Sequence, residues 1–127
     1  MLNELAKEIH ENAVNHGWGK ADFPTTAAMC HCEISEAVTE WQNNRLPEWH
    51  ECMVWGMPCI SPHCSIECGN PCVQRSPKPE GIAVEMADCL IRILCWFGQE
   101  GLDVDRIVAE KMNYNRTREF RHGGKKA

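Results

Sequence analysis

A strongly apolar segment that carries two acids limits the folds open to this chain. Between Ile82 and Phe97, apolar residues recur at helical spacing, and others fill the remaining faces. The main stripe consists of Ile82, Met86, Leu90, Ile93 and Phe97. A helix that is apolar on most sides is expected to be buried. Glu85 and Asp88 lie within the same segment, and carboxylates are rarely buried unless they are paired or bind a metal. The segment therefore predicts a buried helix whose two acids are paired or bind a metal.

Three other segments show the spacing of apolar side chains that indicates helices. Residues 2–15 predict a first helix that ends at Gly17, and Pro24 begins a second helix that extends to residue 43 or 44. The apolar segment predicts a third helix from about residue 80, ending at Gly98 or Gly101, and Asp103 is expected to cap a fourth. No segment shows strand alternation. The sequence therefore predicts an all-α fold of the four-helix bundle type.

The connection between the second and third predicted helices has a different composition. Residues 45–79 contain six of the seven prolines and five of the nine cysteines, without any periodicity. Connections of this length are uncommon unless they have a function of their own or are disordered. We interpret residues 45–79 as an insertion within a single helical domain that spans residues 1–127, a length typical of one domain.

The cysteines of this insertion suggest a zinc site. Thiolate and imidazole side chains favour zinc, and four of them close a structural site. The predicted ligands are Cys59, Cys64, Cys68 and Cys72, with His63 or Cys52 as substitutes. The insertion has no C-x-x-C pair, so three alternatives stay open: free thiols, disulfides formed under oxidation, and cysteines that pack as small hydrophobic residues.

The charge of −5 is unevenly distributed. Residues 111–127 carry a net charge of +5, so residues 1–110 carry −10. An acidic body argues against duplex nucleic acid as the main partner, whereas a basic end beside acidic clusters suits a small polyanion bridged by cations. No apolar run is long enough to span a membrane. The acidic, amphipathic start of the chain does not resemble a signal peptide, and nine thiols favour a reducing compartment. We therefore expect a cytoplasmic protein without a membrane partner.

Two carboxylate pairs form the clearest chemical motif. The second helix carries Glu33-x-x-Glu36 with Glu40 one turn further, and the third carries Glu85-x-x-Asp88. Residues three apart share one helix face. Four carboxylates at one helix interface would repel each other and raise one another's pKa values, and a hard divalent cation removes that conflict. The pairs therefore predict Mg²⁺ or Mn²⁺ together with a phosphorylated ligand.

The acids have two other interpretations. E-x-x-E pairs are common on solvated helix faces, but that interpretation does not account for acids inside an apolar helix. A ferritin-like di-iron site needs Glu-x-x-His pairs on two core helices. The chain has one such pair, Glu119-x-x-His122, and it lies in the basic tail, so we discount a di-iron site.

A polar stripe follows on the last helix. Lys111, Asn115 and Arg118 fall at positions i, i+4 and i+7, which form one face. Arginine and lysine bind phosphate, and an amide binds sugar or phosphate oxygens. Cations near a helix C-terminus also favour the helix dipole without any further function. Opposite a metal–carboxylate site, phosphate binding is the better interpretation.

The combined pattern resembles a known family. Glu33-x-x-Glu36, Glu85-x-x-Asp88 and Lys111-x₃-Asn115-x₂-Arg118 together resemble the MazG-like, all-α nucleotide pyrophosphohydrolases. The segments KPEGIAVEMAD (78–88) and YNRTREFRHGGKKA (114–127) look like a small bacterial and phage branch of that family. The resemblance covers the four predicted helices. The 48 residues between the two carboxylate pairs exceed the usual spacer of the family, and the insertion accounts for the excess.

The resemblance implies an activity and a set of roles. It implies hydrolysis of a nucleoside triphosphate to the monophosphate and pyrophosphate, in housekeeping of the nucleotide pool, by a helical bundle that oligomerises. A bundle this short buries little surface and gains from self-association, so we expect a homodimer or homotetramer. The Mg²⁺ ligands would be Glu33, Glu36, Glu85 and Asp88. Glu36 is our candidate for orienting the attacking water, with Glu33 as the second catalytic carboxylate. Lys111, Asn115 and Arg118 would bind the nucleotide phosphates and sugar. Trp18 or Trp41 would stack on the base, although we favour a core position for Trp41.

A binding module is the alternative to an enzyme. In that alternative, a helical bundle uses a zinc-stabilised cysteine insertion to recognise a partner and catalyses nothing. The basic tail fits either function. The acids discriminate between them, because a binding module has no reason to place Glu85 and Asp88 in its most apolar helix.

Overall fold

A computed structural model describes residues 1–51, 53–54, 57–58, 78–120 and 126. The helices are α1 (Leu2–Asn15), α2 (Phe23–Gln42), α3 (Ile82–Glu100) and α4 (Val104–Thr117). The strands are β1 (Trp49–Glu51), β2 (Met53–Val54), β3 (Met57–Pro58) and β4 (Lys78–Glu80). The described part of the chain is thus mostly helical, as predicted. No described helix is both long and apolar enough to cross a membrane.

The chain divides into two compact units. The terminal unit comprises Met1–Ala21 and Leu94–Ala127, and the central unit comprises Asp22–Ile93. Helices α1 and α4 belong to the terminal unit, whereas α2 and the four strands belong to the central unit. Helix α3 contributes its first two thirds to the central unit and its end to the terminal unit.

The helix ends follow local hydrogen bonding. Helix α2 begins at Phe23 because the Asp22 carboxylate accepts a hydrogen bond of 2.9 Å from the N–H of Thr25, a cap that the sequence analysis missed. The Asp103 carboxylate caps α4 as predicted, accepting from the N–H of Arg106 at 3.0 Å. Helix α3 continues through Gly98, the first of the two glycines expected to end it. It ends before Gly101, which has a φ of 64°.

Short strands are present although no segment of the sequence shows strand alternation. Strand β1 pairs antiparallel with β4, with Trp49 opposite Glu80, and β2 pairs antiparallel with β3. Each strand has only two or three residues, too few to produce a visible alternation of side chains. The β1–β4 pair returns the chain to the start of α3, so it closes the base of the insertion.

A close backbone contact fixes the first turn of α3 in the central unit. The N–H of Ala83 donates to the Pro47 carbonyl at 2.9 Å. Gly81 has a φ of 115°, and a Cβ there would lie 2.5 Å from the same carbonyl oxygen. Only glycine tolerates both conditions. The segment that follows α2 therefore holds the start of α3, two residues before Glu85.

The terminal unit has a small core. Ala6, Leu94 and Val104 are buried, and Leu2, Ile9 and Phe97 pack against them. Where α1 and α4 begin, the Asp105 carboxylate accepts from the N–H groups of Leu2 and Asn3, each at 3.0 Å. These bonds satisfy donors that a helix start leaves unpaired.

The apolar stripes of the central unit are less covered than predicted. Met86, Leu90 and Ile93 of α3 are 49%, 51% and 41% exposed, and Trp41 of α2 is 68% exposed. The predictions of a helix buried on most sides and of a core position for Trp41 are therefore wrong for the single chain. The physical reason is that periodicity identifies a face that favours burial but not the chain that covers it.

We expect the substitution Gly98→Ala to destabilise the terminal unit. A Cβ at Gly98 would lie 2.4 Å from the carbonyl oxygen of Ala6, and backbone atoms cannot yield as a flexible side chain does. The free energy of unfolding should fall by about 2 kcal/mol, although alanine is the better helix former. Urea denaturation followed by circular dichroism measures the change.

The matched control for this prediction is Gly19→Ala. A Cβ at Gly19 would meet no atom within 4 Å, so the stability should change little. If Gly98→Ala were as stable as the control, α1 would not approach α3 this closely.

Candidate metal centre

Three carboxylates from two helices meet in the central unit. Glu33 and Glu36 come from α2, and Glu85 comes from the first turn of α3. One carboxylate oxygen from each lies within 4.8 Å of the other two. Glu33 and Glu85 are each only 6% exposed, whereas Glu36 is exposed. We call these three residues the carboxylate cluster. It has two buried members and one that solvent reaches directly.

Asp88 lies beside the cluster without belonging to the set of three oxygens. It is half-buried on α3, three residues after Glu85. Burial raises the pKa of Asp88, the negative charge of Glu33 raises it further, and the charge of Arg92 opposes the increase. The structure therefore brings three of the four predicted metal ligands together and puts the fourth within electrostatic range.

Glu85 shows the strain of this arrangement. Burial is the main cause that raises the pKa of Glu85 to about 7, and the charges of Glu36, Glu80, Asp88 and Glu33 add to the shift. A carboxylate with an ordinary pKa would be fully ionised at pH 7. The cluster therefore holds more negative charge than its surroundings stabilise, which is the electrostatic condition that favours a cation.

Arg92 pairs with the cluster, and the sequence analysis missed it. Its Nε donates to a carboxylate oxygen of Glu33. Arg92 lies on α3, four residues after Asp88, a spacing at which helical side chains are neighbours. That spacing was the available signal, because an arginine one turn after the E-x-x-D pair is positioned to contact the same acids.

Glu40 has a separate role. It follows the cluster on α2, but its carboxylate accepts from the indole N–H of Trp49 at 2.8 Å. It also pairs with Arg45 at 3.9 Å, and the Arg45 guanidinium lies 4.6 Å from the centre of the Trp49 ring. These contacts fix the chain that leaves α2 and leads into β1. Glu40 therefore supports the region around the cluster and is not held in it.

The cysteines fall into two groups, four on helices α2 and α3 and five in the insertion. Cys30 on α2 interacts with the buried Cys89 on α3, and burial, with this neighbour, raises the pKa of the Cys30 thiol. A raised pKa makes a thiol unreactive, so we interpret this pair as packing. The predicted zinc ligands Cys59, Cys64, Cys68 and Cys72 lie outside the described residues, as do the substitutes His63 and Cys52.

The basic residues lie in the terminal unit. Lys111 and Asn115 are on α4, but α4 ends at Thr117 and Arg118 has an extended backbone. The prediction that Arg118 continues one helical face is therefore wrong. Lys111 and Arg118 nevertheless share a neighbour that the sequence analysis missed, since their cationic groups lie 5.0 and 5.8 Å from the centre of the Tyr114 ring. The position of Lys111 and Arg118 opposite the carboxylates depends on the arrangement of the two units, and it stays a prediction.

The chemistry of the cluster fits a hard divalent cation. Opposite oxygen ligands are about 4.2 Å apart around Mg²⁺ and about 5 Å apart around Ca²⁺, and the three oxygens here lie within 4.8 Å of one another. The donors are all carboxylate oxygens, which suit Mg²⁺ or Mn²⁺ better than the softer ions that prefer histidine or cysteine.

Relatives give no independent information about this site. Comparisons with protein-family models, with curated proteins and with solved structures found no match. The function is therefore inferred from the residues of the site and from the sequence pattern that they form.

We expect the stability of the cation-free protein to fall as pH rises. The folded state holds the Glu85 proton up to a pKa of about 7, whereas the ordinary pKa is 4.5. The folded state thus binds more protons between these values, so its advantage is complete below pH 4.5 and lost as pH passes 7. The loss from this group is on the order of 2–4 kcal/mol. Chemical denaturation between pH 4 and 8, with a chelator present, measures it.

The variant Glu85→Gln separates this effect from other titrations. Glutamine keeps the shape and cannot ionise, so the variant should be more stable than the wild type at pH 8 and similar at pH 4. Glu110→Gln, at an exposed position of α4, should leave the pH profile unchanged. An unchanged profile in Glu85→Gln would show that Glu85 is not the titrating group.

Proposed function

We propose that the chain is a Mg²⁺- or Mn²⁺-dependent nucleoside triphosphate pyrophosphohydrolase of the MazG-like type. One observation carries the proposal. In the sequence, 48 residues separate the two halves of the carboxylate motif, yet oxygens of Glu33, Glu36 and Glu85 lie within 4.8 Å of one another. A solvated E-x-x-E pair has no reason to meet a buried glutamate of another helix.

The reaction adds water across the bond between the α- and β-phosphates and leaves a monophosphate and pyrophosphate. Glu33, Glu36, Glu85 and Asp88 would hold the cation, which neutralises charge on the phosphates. Glu36 is the exposed member of the cluster, so it suits the role of orienting water and accepting its proton. Glu33 is buried and anchored by Arg92, and therefore suits a fixed ligand.

The basic residues of the terminal unit would bind the nucleotide. Lys111 and Arg118 supply positive charge for the phosphates, and Asn115 supplies an amide for phosphate or sugar oxygens. The contact of both cations with Tyr114 supports this role, because it keeps the two charges near one ring.

We further propose that the chain forms a homodimer or homotetramer. Met86, Leu90 and Ile93 form one stripe at i, i+4 and i+7 on α3, and each is more than two fifths exposed. An exposed apolar stripe of this kind is typical of an association surface. The stripe lies on the helix that also carries Glu85 and Asp88, so association and the site would depend on the same element.

The activity test uses purified protein, Mg²⁺ and a panel of ribo- and deoxynucleoside triphosphates, with pyrophosphate release as the measurement. We expect Glu36→Gln and Asp88→Asn to lower kcat by about 100-fold or more, since each removes a carboxylate from the reaction or the cation. Glu110→Gln on α4 should match the wild type. Equal rates for all variants would mean that the cluster does not catalyse the reaction.

A thermal-shift assay distinguishes the enzyme from the zinc-stabilised binding module. Stabilisation that requires both Mg²⁺ and a nonhydrolysable nucleotide supports the enzyme. Stabilisation by Zn²⁺ alone, without pyrophosphate release from any nucleotide in the panel, would favour the binding module.

Association is tested by Leu90→Asp. A charge in the centre of the stripe should convert the oligomer to a monomer, measured by size-exclusion chromatography with light scattering. The matched control is Leu5→Asp, which changes a comparably exposed leucine of α1 and should leave the oligomer intact. A wild-type chain that is monomeric at high concentration would contradict the proposal.

A further inference from the structure

The carboxylate cluster already contains a positive charge supplied by the chain itself. The Nε of Arg92 donates to Glu33, which is also one of the three carboxylates whose oxygens converge. The two side chains differ in exposure, at 39% for Arg92 and 7% for Glu33. The acid is therefore fixed in the interior, whereas the guanidinium has an open path to solvent.

Arg92 is well placed to balance charge in the cation-free protein. Within the described residues, it is the one arginine or lysine that forms an ion pair with a member of the cluster. Its charge also opposes the increase in the pKa of Asp88. A buried carboxylate that loses its partner is strongly destabilising. Arg92 thus balances the charge of Glu33 and holds its side chain in place while no divalent cation is bound.

A divalent cation and Arg92 make opposing demands on Glu33. Both are attracted to the same carboxylate, and two positive charges close to one carboxylate repel each other. Where cation binding breaks the Arg92–Glu33 contact, the free energy of that contact is lost on binding, and the affinity for the cation falls by the corresponding factor.

We propose that Arg92 is a positioning residue that acts as the internal counter-ion of Glu33 and competes with the divalent cation for this carboxylate. The inference rests on the cation site of the proposed function and adds a regulator of its affinity. The chain folds with the cluster preformed, and the cation binds by displacing the guanidinium from Glu33. Arg92 thereby sets the cation concentration at which the site fills.

The test compares the wild type with Arg92→Gln, Arg92→Lys and the control Arg106→Gln. Arg106 pairs with Glu110 at 2.9 Å on the surface of α4, outside the central unit. Mn²⁺ is the probe, and the electron paramagnetic resonance signal of free Mn²⁺ gives its affinity. Thermal unfolding is recorded with a chelator and with saturating Mn²⁺.

We expect Arg92→Gln to bind Mn²⁺ about tenfold more tightly than the wild type and to melt at a lower temperature in the chelator. Saturating Mn²⁺ should reduce that difference in Tm, because the cation takes over the charge balance. Arg92→Lys retains the charge and should stay within about threefold of the wild-type affinity, and Arg106→Gln should match the wild type. In a Glu33→Gln background, Arg92→Gln should no longer lower the Tm in the chelator.

The contrary outcomes separate this inference from the proposed function. If the wild type binds Mn²⁺ but Arg92→Gln binds it equally or more weakly, the competition is refuted and the cation site stands. A Tm deficit of the same size with and without Mn²⁺ would reduce Arg92 to a structural role and also refute it. If Arg92→Gln folds only with Mn²⁺, the inference is supported, and if Mn²⁺ does not restore folding, it is refuted. No Mn²⁺ binding by the wild type would refute the cation site and, with it, the inference.

Discussion

Negative charge held between α2 and α3 is the constraint around which the central unit is built. Glu33 and Glu85 are nearly inaccessible to solvent, and an ionised carboxylate in such a place is costly without compensation. The structure compensates each one differently. Glu33 receives a guanidinium from Arg92, whereas Glu85 has a pKa raised to about 7 and so retains its proton more readily. Glu36 avoids the cost by remaining exposed.

The surrounding backbone holds these charges together. The Pro47 carbonyl accepts from the first turn of α3, and Gly81 allows that approach. The Glu40–Trp49 hydrogen bond fixes the exit from α2, and the β1–β4 pair closes the base of the insertion. The long spacer between the two carboxylate pairs is therefore compatible with a precise site, since the entropy of closing a loop grows only slowly with its length.

The sequence predicted the helices and their ends better than the contacts that their side chains make. The bounds of α1, the cap of α4 by Asp103 and the mostly helical character followed from spacing and capping chemistry, which are local. The carboxylate convergence followed because the cost of isolated buried charge restricts the alternatives. The pairing of Arg92 with Glu33, the continuation of α3 through Gly98 and the exposure of Trp41 depend on which neighbour approaches each face. Periodicity contains no information about that neighbour.

The apolar residues of helix α3 suggested one buried helix, but its two parts differ in burial. Its last third, with Leu94 buried and Phe97 packed against the core, belongs to the terminal unit. Its first two thirds belong to the central unit, where Leu90 and Ile93 are exposed and the acids lie. The apolar residues of one helix thus lie in two settings: a small core, and a stripe that is exposed among the described residues. Because the stripe shares its helix with Glu85, Asp88 and Arg92, any partner that covers the stripe would also change the solvation of these charges. Association and cation binding would then be energetically coupled.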